Sequence, residues 1–462
     1  MGKKNPINKS QKEMLSLEQL VPEDHLVRKI EKAINLEFIY PMVEDLYSPF
    51  GAESIDPVVL IKLNILQYTF GIRLMRQTIK EVEVNCAYRW YIGYCFNEKI
   101  PHFSTFSKNY TRRFAGTDLF ERIFGRVVDE IIRHGFIEED TVFIDGTHIK
   151  ANANNHKYRK ETVEKSAKYY EDELKKEINA DREAHGKKPL KEAENPDPET
   201  KEIKASTTDP DCGVFHKGEH KKVFAYTANV ACERNNFILD FELTAGNVHD
   251  SVAFPKVYER LVAKYPEMAN VVLDAGYKTP AIARQIINDG KTPIMPYTRP
   301  MTKEGFHKKY EYVYDEYHDC YICPNNAVLK YSTTNREGYR EYKSNPIVCA
   351  NCPMLNPCTQ SKTHVKVVTR HVWEQYMEQV EDIRHTIGTK EMYMERKETI
   401  ERVFADAKEL HGMRYAKHRG HGRVRMEMHL LFMCMNLKKL AKRLWYRGRS
   451  PSVFYQFLIF VF

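Results

Sequence analysis

The chain has 462 residues, of which 42 % are hydrophobic and 29 % are charged, a balance that is typical of globular proteins and excludes wholesale disorder. The length favours two or three domains. The 71 Lys and Arg residues exceed the 63 Asp and Glu residues to give a net charge of +8, which permits a nucleic-acid partner without requiring one.

The chain begins with polar sequence that lacks the apolar stretch of a secretory signal. No apolar run is long enough to span a membrane, and the run at 457–462 is far too short. Ten cysteines without an export signal favour a reducing compartment. We therefore expect a cytoplasmic protein.

The first 136 residues are predicted to form a helical domain. Asp56 and Pro57 open a run at 58–70 that is apolar on nearly every side, as in a buried helix. Hydroxyl groups within 102–107 are predicted to cap a short basic helix at 108–113. This arrangement suggests a DNA reader of the helix-turn-helix kind. The alternative is a surface helix whose arginines meet only water.

From Thr141 the pattern changes to that of an α/β domain, predicted to occupy 137–462. Two short apolar strands each end in a carboxylate, at Asp145 and at Asp274. Three further strands and one helix are predicted at 222–231, 237–243, 293–296 and 280–288.

Two segments interrupt this domain. The first, 152–206, is highly charged; it is predicted to contain a solvated helical arm with helical spacing at 166–182, followed by a proline-rich linker at 194–198. The second, 299–362, is rich in cysteine and is predicted to be loop-like. A long helical region is expected from 372 to about 442.

Three acidic residues form a candidate active site. Asp145 and Asp274 end strands whose side chains can converge at one edge of a sheet, and Glu401 lies in a predicted helix at 398–408. That helix has a buried stripe formed by Ile400, Val403, Phe404 and Ala407. A few carboxylates suffice to hold the Mg²⁺ or Mn²⁺ ions of phosphodiester chemistry. Taken singly, each residue has a simpler interpretation as a solvated or helix-capping side chain.

Several motifs together resemble those of the DDE transposases of bacterial insertion sequences. They are Phe-Ile-Asp-Gly-Thr at 143–147, Gly-Asn-Val-His-Asp-Ser at 246–251, Leu-Asp-Ala-Gly-Tyr at 273–277 and Glu-Arg-Val-Phe-Ala-Asp-Ala-Lys at 401–408. The resemblance extends through the helical part at 54–60, 70–73 and 102–106, so it spans nearly the whole chain. The motifs are specific as a set, although each one alone is weak.

The resemblance implies a ribonuclease-H-like mixed sheet flanked by helices. It maps a catalytic triad that binds two Mg²⁺ or Mn²⁺ ions onto Asp145, Asp274 and Glu401. It also implies a bacterial, nucleoid-associated enzyme that binds the terminal inverted repeats and the target DNA, as a homodimer on paired ends.

The resemblance further implies a Tyr-Arg-Glu-Lys motif around the glutamate. Tyr393 and Arg396 have the expected mutual spacing, and Lys408 lies seven residues after Glu401, on the same helical face. Arg396 stands one residue too far from Glu401, and Lys397 occupies the usual offset. Either residue can therefore hold the role of the arginine.

Basic side chains near the expected site and in the basic helix are the candidate DNA contacts, through the backbone phosphates. They are Arg396, Arg402, Lys408, Arg414, Lys108, Arg112 and Arg113. A solvated charged face is an equally good interpretation for each residue taken singly.

Two residues near the aspartates are ambiguous. Asp250 is as good a candidate for the N-cap of a helix as for a metal ligand. His148, three residues after Asp145, is better explained by a structural hydrogen bond than by contact with a phosphate.

Two Cys-x-x-Cys pairs, Cys320 with Cys323 and Cys349 with Cys352, are separated by 25 residues and followed by Cys358. This pattern predicts a structural Zn²⁺ site like a zinc ribbon, because four thiolates leave no open position on the ion. Cys358 and His318 leave the ligand set open. The alternative is a set of buried or redox-active cysteines.

Together these features predict a transposase that cleaves DNA at the ends of its element and then uses the freed 3′-hydroxyl for strand transfer. One alternative is a zinc-containing DNA-binding protein that derives from a transposase but does not catalyse. Another is a nuclease of the same fold that cleaves without joining.

Overall fold

The computed structural model describes residues 14–48, 50, 54–164, 170–190, 200–217, 221–299 and 301–448. The linker predicted at 194–198 and the apolar run at 457–462 lie outside these ranges. Within them, no helix is long and apolar enough to cross a membrane.

The N-terminal part is helical, as predicted. Its helices are α1 (Leu17–Leu20), α2 (Leu26–Ala33), α3 (Ile39–Val43), α4 (Pro57–Thr69), α5 (Met75–Val84), α6 (Cys86–Ile92), α7 (Thr105–Asn109) and α8 (Leu119–Arg133). Helix α4 begins where the sequence predicts, because the Asp56 carboxylate accepts the Val58 N–H at 2.7 Å and Pro57 lacks the N–H that a first turn leaves unpaired. It is buried on nearly all sides.

The basic helix predicted at 108–113 begins earlier than expected. Helix α7 starts at Thr105, and Tyr110–Phe114 continues it as one π-helical turn. The Ser104 side chain does not cap the helix. Its hydroxyl instead lies 2.8 Å from Nδ1 of His102, so this local contact replaces the predicted cap.

Up to residue 299, the described ranges contain eight strands. They are β1 (Thr141–Lys150), β2 (Tyr158–Glu164), β3 (Thr200–Ser206), β4 (Gly213–Lys217), β5 (Lys221–Glu233), β6 (Ile238–Ala245), β7 (Asn270–Leu273) and β8 (Thr292–Ile294). Strands β2 and β3 form a separate two-stranded antiparallel sheet, and the other six of these strands form a mixed sheet. In that sheet β5 is antiparallel to β1, β4 and β6, whereas β7 is parallel to β1 and β8 is parallel to β7.

Helices cover both faces of the mixed sheet. After α9 (Glu171–Ala184) come α10 (Asp250–Lys264) and α11 (Pro280–Asn288). Ile144 faces the side of α10 and packs in a cluster with Val257 and Leu261. Phe143 faces the other side and packs with residues of the C-terminal helices. The alternation of side chains along β1 therefore divides the core into two layers.

The cysteine-rich segment is not loop-like, so this prediction is wrong. It contributes β9 (Val313–Asp315), β10 (Cys320–Ile322), β11 (Val328–Thr334) and β12 (Tyr339–Lys343) to an antiparallel sheet whose fifth strand is β13 (Val367–His371). Strand β13 lies beyond residue 362, the predicted end of the segment. Buried tyrosines, among them Tyr321 and Tyr342, form the small core of this sheet.

Helix α9 is also more than a solvated arm. Its Leu174 and Ile178 side chains are buried in a cluster with Trp373. Its Asp181 carboxylate lies 2.6 Å from Arg340 of β12. Because these contacts join two segments that are far apart in sequence, charge pattern alone did not predict them.

The C-terminal region is helical, as predicted. Two short helices, α12 (Pro346–Ala350) and α13 (Leu355–Cys358), lie within the cysteine-rich segment. The helices of the region predicted from 372 onward are α14 (Glu374–Arg384), α15 (Thr389–Met394), α16 (Ile400–Glu409) and α17 (His421–Arg447). The stripe predicted for α16 is buried as expected. Helix α17 packs against α2, α4 and α8 as well as β6, so the N-terminal helices and the mixed sheet share one core.

Candidate active site

Asp145 and Asp274 come together where two parallel strands stop pairing. The last paired residues are Ile144 of β1 and Leu273 of β7, and the two aspartates follow them directly. Strand β1 itself continues to Lys150, so Asp145 lies inside a strand and not at its end as predicted. The sequence alone could not show this, because the site is created by the end of the neighbouring strand.

The Asp145 carboxylate is mostly buried and is held by two donors. Arg396 Nη2 lies 2.5 Å from its Oδ2, and the Gly146 N–H donates to its Oδ1 at 2.8 Å. Burial raises the pKa of Asp145 to about 6; Arg396 opposes this rise, whereas the charges of Asp274 and Asp250 add to it. The carboxyl group is therefore mostly ionised at pH 7. Its charged form carries a desolvation free energy that a bound cation would reduce.

Asp274 is oriented by the turn that follows it. Its Oδ1 accepts the Gly276 N–H at 2.8 Å and so caps the short 3₁₀ turn Ala275–Tyr277. This capping bond fixes one carboxylate oxygen toward the turn.

Asp250 belongs to the same acidic cluster, and it is not the N-cap of its helix. The N-cap of α10 is His249, whose Nδ1 accepts the Ser251 N–H at 3.2 Å, and Asp250 is the first residue of the helix. A Cβ atom at Gly146 would lie 2.7 Å from Asp250 Oδ1, so a glycine is needed there for this close approach. Burial raises the pKa of Asp250, and the charge of Asp274 raises it further.

Two buried residues next to this cluster were not singled out from the sequence. The Tyr277 hydroxyl donates to Asn229 Oδ1 at 2.5 Å, and Asn229 pairs with Gly146 across the sheet. Asn229 is fully buried, and its Nδ2 has no hydrogen-bond partner among the residues described. The motif at 273–277 contains Tyr277, but only its place in the fold shows this contact.

Glu401 is not joined to the two aspartates by any described contact. It is the second residue of α16, its side chain is exposed, and within the described part of the chain it forms no hydrogen bond or ion pair. Helix α16 does pack against β1 and β5. The structure therefore brings two of the three predicted acids together and places the third on an adjacent helix.

The predicted cations fall into two groups. Arg396 is buried against Asp145, and its Nη1 donates to the Tyr393 hydroxyl at 3.2 Å, whereas Lys397 is exposed. Arg396 is thus the residue that reaches the acidic cluster. The remaining candidates are exposed or partly exposed, namely Arg402, Lys408, Arg414, Lys108, Arg112 and Arg113.

Three of these exposed cations have protein contacts of their own. Lys408 lies 5.9 Å from the centre of the Phe404 ring, and Arg113 lies 4.4 Å from that of Tyr47. Arg414 pairs with Glu409. The structure does not test whether any of them binds DNA, so these roles stay predictions.

The charges of the acidic cluster suit a divalent cation, because Asp145 lies near two further carboxylates, Asp274 and Asp250, whose charges raise its pKa while Arg396 opposes them. Among the residues that the structure describes, however, no three His, Cys, Asp or Glu side chains are arranged to hold an ion. Carboxylate oxygens are donors that suit a hard metal ion, and in the structure the Arg396 guanidinium supplies the positive charge next to Asp145.

The cysteine-rich segment places four of its five thiols around one cavity. Cys323, Cys349, Cys352 and Cys358 line a space of about 30 Å³. Cys320 does not line it. His318 is exposed, and its Nδ1 lies 2.9 Å from Asp315.

Two family models match the sequence. "Transposase domain (DUF772)" matches residues 15–112 and "Transposase DDE domain" matches residues 322–441. The second match contains Glu401 and the four cavity cysteines but neither Asp145 nor Asp274. No curated protein matches the sequence.

One solved structure is similar to the chain, the "Mos1 transposase paired-end complex with left transposon end". The identity is 11 % and the TM-score is 0.17; the alignment covers 55 % of this chain and 64 % of that one. The chain therefore spans less than two thirds of the length of that transposase.

Proposed function

We propose that this chain, which belongs to the DDE transposases through its two transposase-domain matches, cleaves DNA at the ends of an insertion sequence and joins the freed 3′ ends to a target. The observation that carries the proposal is the convergence of Asp145 and Asp274 where β1 and β7 part. The mixed sheet with helices on both faces supports a ribonuclease-H-like core.

In the proposed mechanism Asp145 and Asp274 hold divalent metal, with Glu401 as the third carboxylate. Two Mg²⁺ or Mn²⁺ ions supply activation of the attacking oxygen and stabilisation of the leaving oxygen in an in-line displacement. The mostly buried Asp145 carboxylate, with its raised pKa, gains from a cation that offsets its desolvation. Helix α16, which carries Glu401, packs on β1, the strand that contains Asp145.

Arg396 has two successive roles in this proposal. Without metal its guanidinium neutralises Asp145 at 2.5 Å. With Asp145 holding a divalent cation, the Arg396 guanidinium would be available to contact a DNA phosphate, for which its planar donor fork is suited. This assigns the arginine of the Tyr-Arg-Glu-Lys motif to Arg396 and not to Lys397.

The proposed partners are the terminal inverted repeats and the target DNA, bound by a homodimer on paired ends in the bacterial cytoplasm, near the nucleoid. Lys108 and Arg112 are exposed and Arg113 is partly exposed on the N-terminal helices, where they would add further phosphate contacts. Each phosphate that such a cation neutralises strengthens binding and makes it more sensitive to salt.

The experiment is nicking of a supercoiled plasmid that carries the flanking ends of the element, followed during Mn²⁺ titration. We expect nicking to require Mn²⁺ and to fall by more than about 100-fold in Asp274→Ala, because even partners of metal ligands contribute about 10- to 100-fold. Asp382→Ala, which removes an exposed carboxylate on α14, is the matched control and should nick like wild type.

Three outcomes separate this proposal from its alternatives. Tight binding of the ends without nicking by the wild type would favour the non-catalytic DNA-binding protein. Nicking without products joined to a labelled target would favour a nuclease. Undiminished nicking by Asp274→Ala would overturn the active-site assignment.

A further inference from the structure

The cysteine cavity takes no part in the proposed DNA chemistry and lies between two structural pieces. Cys323 follows strand β10, whereas Cys349 is in α12, Cys352 is in the turn after α12, and Cys358 ends α13. Among the residues described, all ten cysteines are free thiols. The four thiols that share the cavity therefore come from a strand end and from a short helical segment that lies more than twenty residues further along the chain.

Three of these sulfurs already have hydrogen-bond partners. The Ala327 N–H donates to Cys323 Sγ at 3.2 Å, and Asn325 Nδ2 donates to Cys352 Sγ at 3.5 Å. The Tyr312 hydroxyl lies 3.2 Å from Cys358 Sγ. Donors of this kind stabilise thiolates and orient them toward a metal ion.

Cys320 is excluded from this set by the geometry of its strand. Successive side chains of a strand point to opposite faces. Tyr321 packs in the same cluster as Cys323 and Cys358, so Cys320 points away from it. Burial also raises the pKa of the Cys320 thiol, which disfavours the thiolate form that a metal requires.

We infer that Cys323, Cys349, Cys352 and Cys358 bind one structural Zn²⁺ ion, and that Cys320 and His318 do not. A set of four thiolates suits tetrahedral Zn²⁺ and leaves no position for substrate. Among the described residues no three of these side chains are arranged to hold an ion, so binding requires the four sulfurs to move closer together. The ion thereby ties the α12–α13 segment to the β10–β11 hairpin.

The experiment measures zinc bound to the full chain after purification under reducing conditions and dialysis. We expect about one Zn²⁺ per chain in the wild type, since four thiolates fill one tetrahedral site. Cys349→Ser should reduce the retained zinc by at least about tenfold, because loss of a direct ligand weakens binding at least as much as loss of an outer partner does. Cys320→Ser is the matched control within the same pair of motifs and should retain the wild-type zinc content.

A second measurement covers ligand variants that fail to fold. Addition of Co²⁺ to the metal-free wild type should give the absorption of a tetrahedral four-thiolate centre, and Zn²⁺ should abolish it. Wild-type protein that is folded but binds neither ion would overturn the inference, as would zinc loss in Cys320→Ser. The inference does not rest on the proposed function, because zinc content and plasmid nicking can fail independently.

Discussion

At the scale of single residues, the ion pair between Arg396 and Asp145 stabilises the acidic cluster in the metal-free protein. Both side chains are largely withdrawn from water, with exposed fractions of 8 % for Arg396 and 16 % for Asp145. A carboxylate in that setting needs a positive partner or a proton. Arg396 supplies the partner in the metal-free protein, and the proposal requires a metal ion to take its place.

Arg396→Gln should therefore destabilise the metal-free protein and make its stability depend on metal. Removal of one partner of a buried ion pair lowers the free energy of unfolding by about 3–5 kcal/mol. Because Asp145 can take up a proton when Arg396 is removed, we expect a loss near the lower of these values. Mn²⁺ should restore more stability to the variant than it adds to the wild type. The free energy of unfolding in urea, measured with and without Mn²⁺, tests this.

Arg402→Gln provides the control, because Arg402 is an exposed cation on the neighbouring helix. It should change the stability little and should leave the Mn²⁺ effect at the wild-type value. If Mn²⁺ stabilised Arg396→Gln no more than it stabilises the wild type, the proposal that a metal ion takes over the charge compensation of Asp145 would be overturned.

At the scale of elements, local signals in the sequence predicted the helices well. Helix α11 begins at Pro280 and ends at Asn288 as predicted, because Thr279 caps it and proline fits its first position. The start of α4 has a comparable local cause. Such contacts span only a few residues, so a single sequence is enough to show them.

The sequence was less informative where an element depends on a distant partner. The carboxylate site exists because β7 ends beside residue 144 of β1, a register that no local pattern specifies. The five-stranded sheet was missed for a similar reason, since its alternating tyrosines occur in a segment dominated by cysteine and turn signals. The charged surface of α9 likewise concealed two buried positions, Leu174 and Ile178.

Asp181 holds α9 on this sheet, and its loss should release the helix. Its carboxylate accepts hydrogen bonds from Arg340 at 2.6 Å and from Thr334 at 2.5 Å, and only 4 % of the side chain is exposed. Asp181→Ala leaves the partly exposed Arg340 unpaired, which should cost about 2–3 kcal/mol after allowance for solvent screening. Hydrogen exchange of the α9 amides should become faster by a corresponding factor of roughly 30–150.

Asp172→Ala is the matched control, since Asp172 is an exposed carboxylate on the first turn of the same helix. Its α9 amides should exchange at nearly the wild-type rate. Unchanged protection of α9 in Asp181→Ala would show that its other contacts, the hydrogen bonds of Arg182 with the sheet and the apolar cluster with Trp373, hold the helix without this ion pair.

At the scale of the whole molecule, α17 joins the N-terminal helices to the mixed sheet. Its buried side includes His429, which lies between Phe124 of α8 and Phe241 of β6 at ring-centre distances of 5.9 and 4.6 Å. Neither ring nitrogen has a hydrogen-bond partner among the residues described. The junction between the two predicted domains therefore contains a neutral imidazole in an apolar setting.

This imidazole should make the whole fold sensitive to acid. Burial lowers the pKa of His429 to about 3, whereas in the unfolded chain it is near 6.5. Below pH 6.5 the unfolded chain therefore binds more protons, and stability falls as the pH falls toward 3, by about 2–3 kcal/mol between pH 6.5 and 4.5. His429→Leu should remove that part of the loss, measured as the difference in unfolding free energy between the two pH values.

His156→Gln, which changes an exposed histidine, should lose stability like wild type. An equal loss in His429→Leu would show that other groups, such as the buried His411, determine the acid sensitivity.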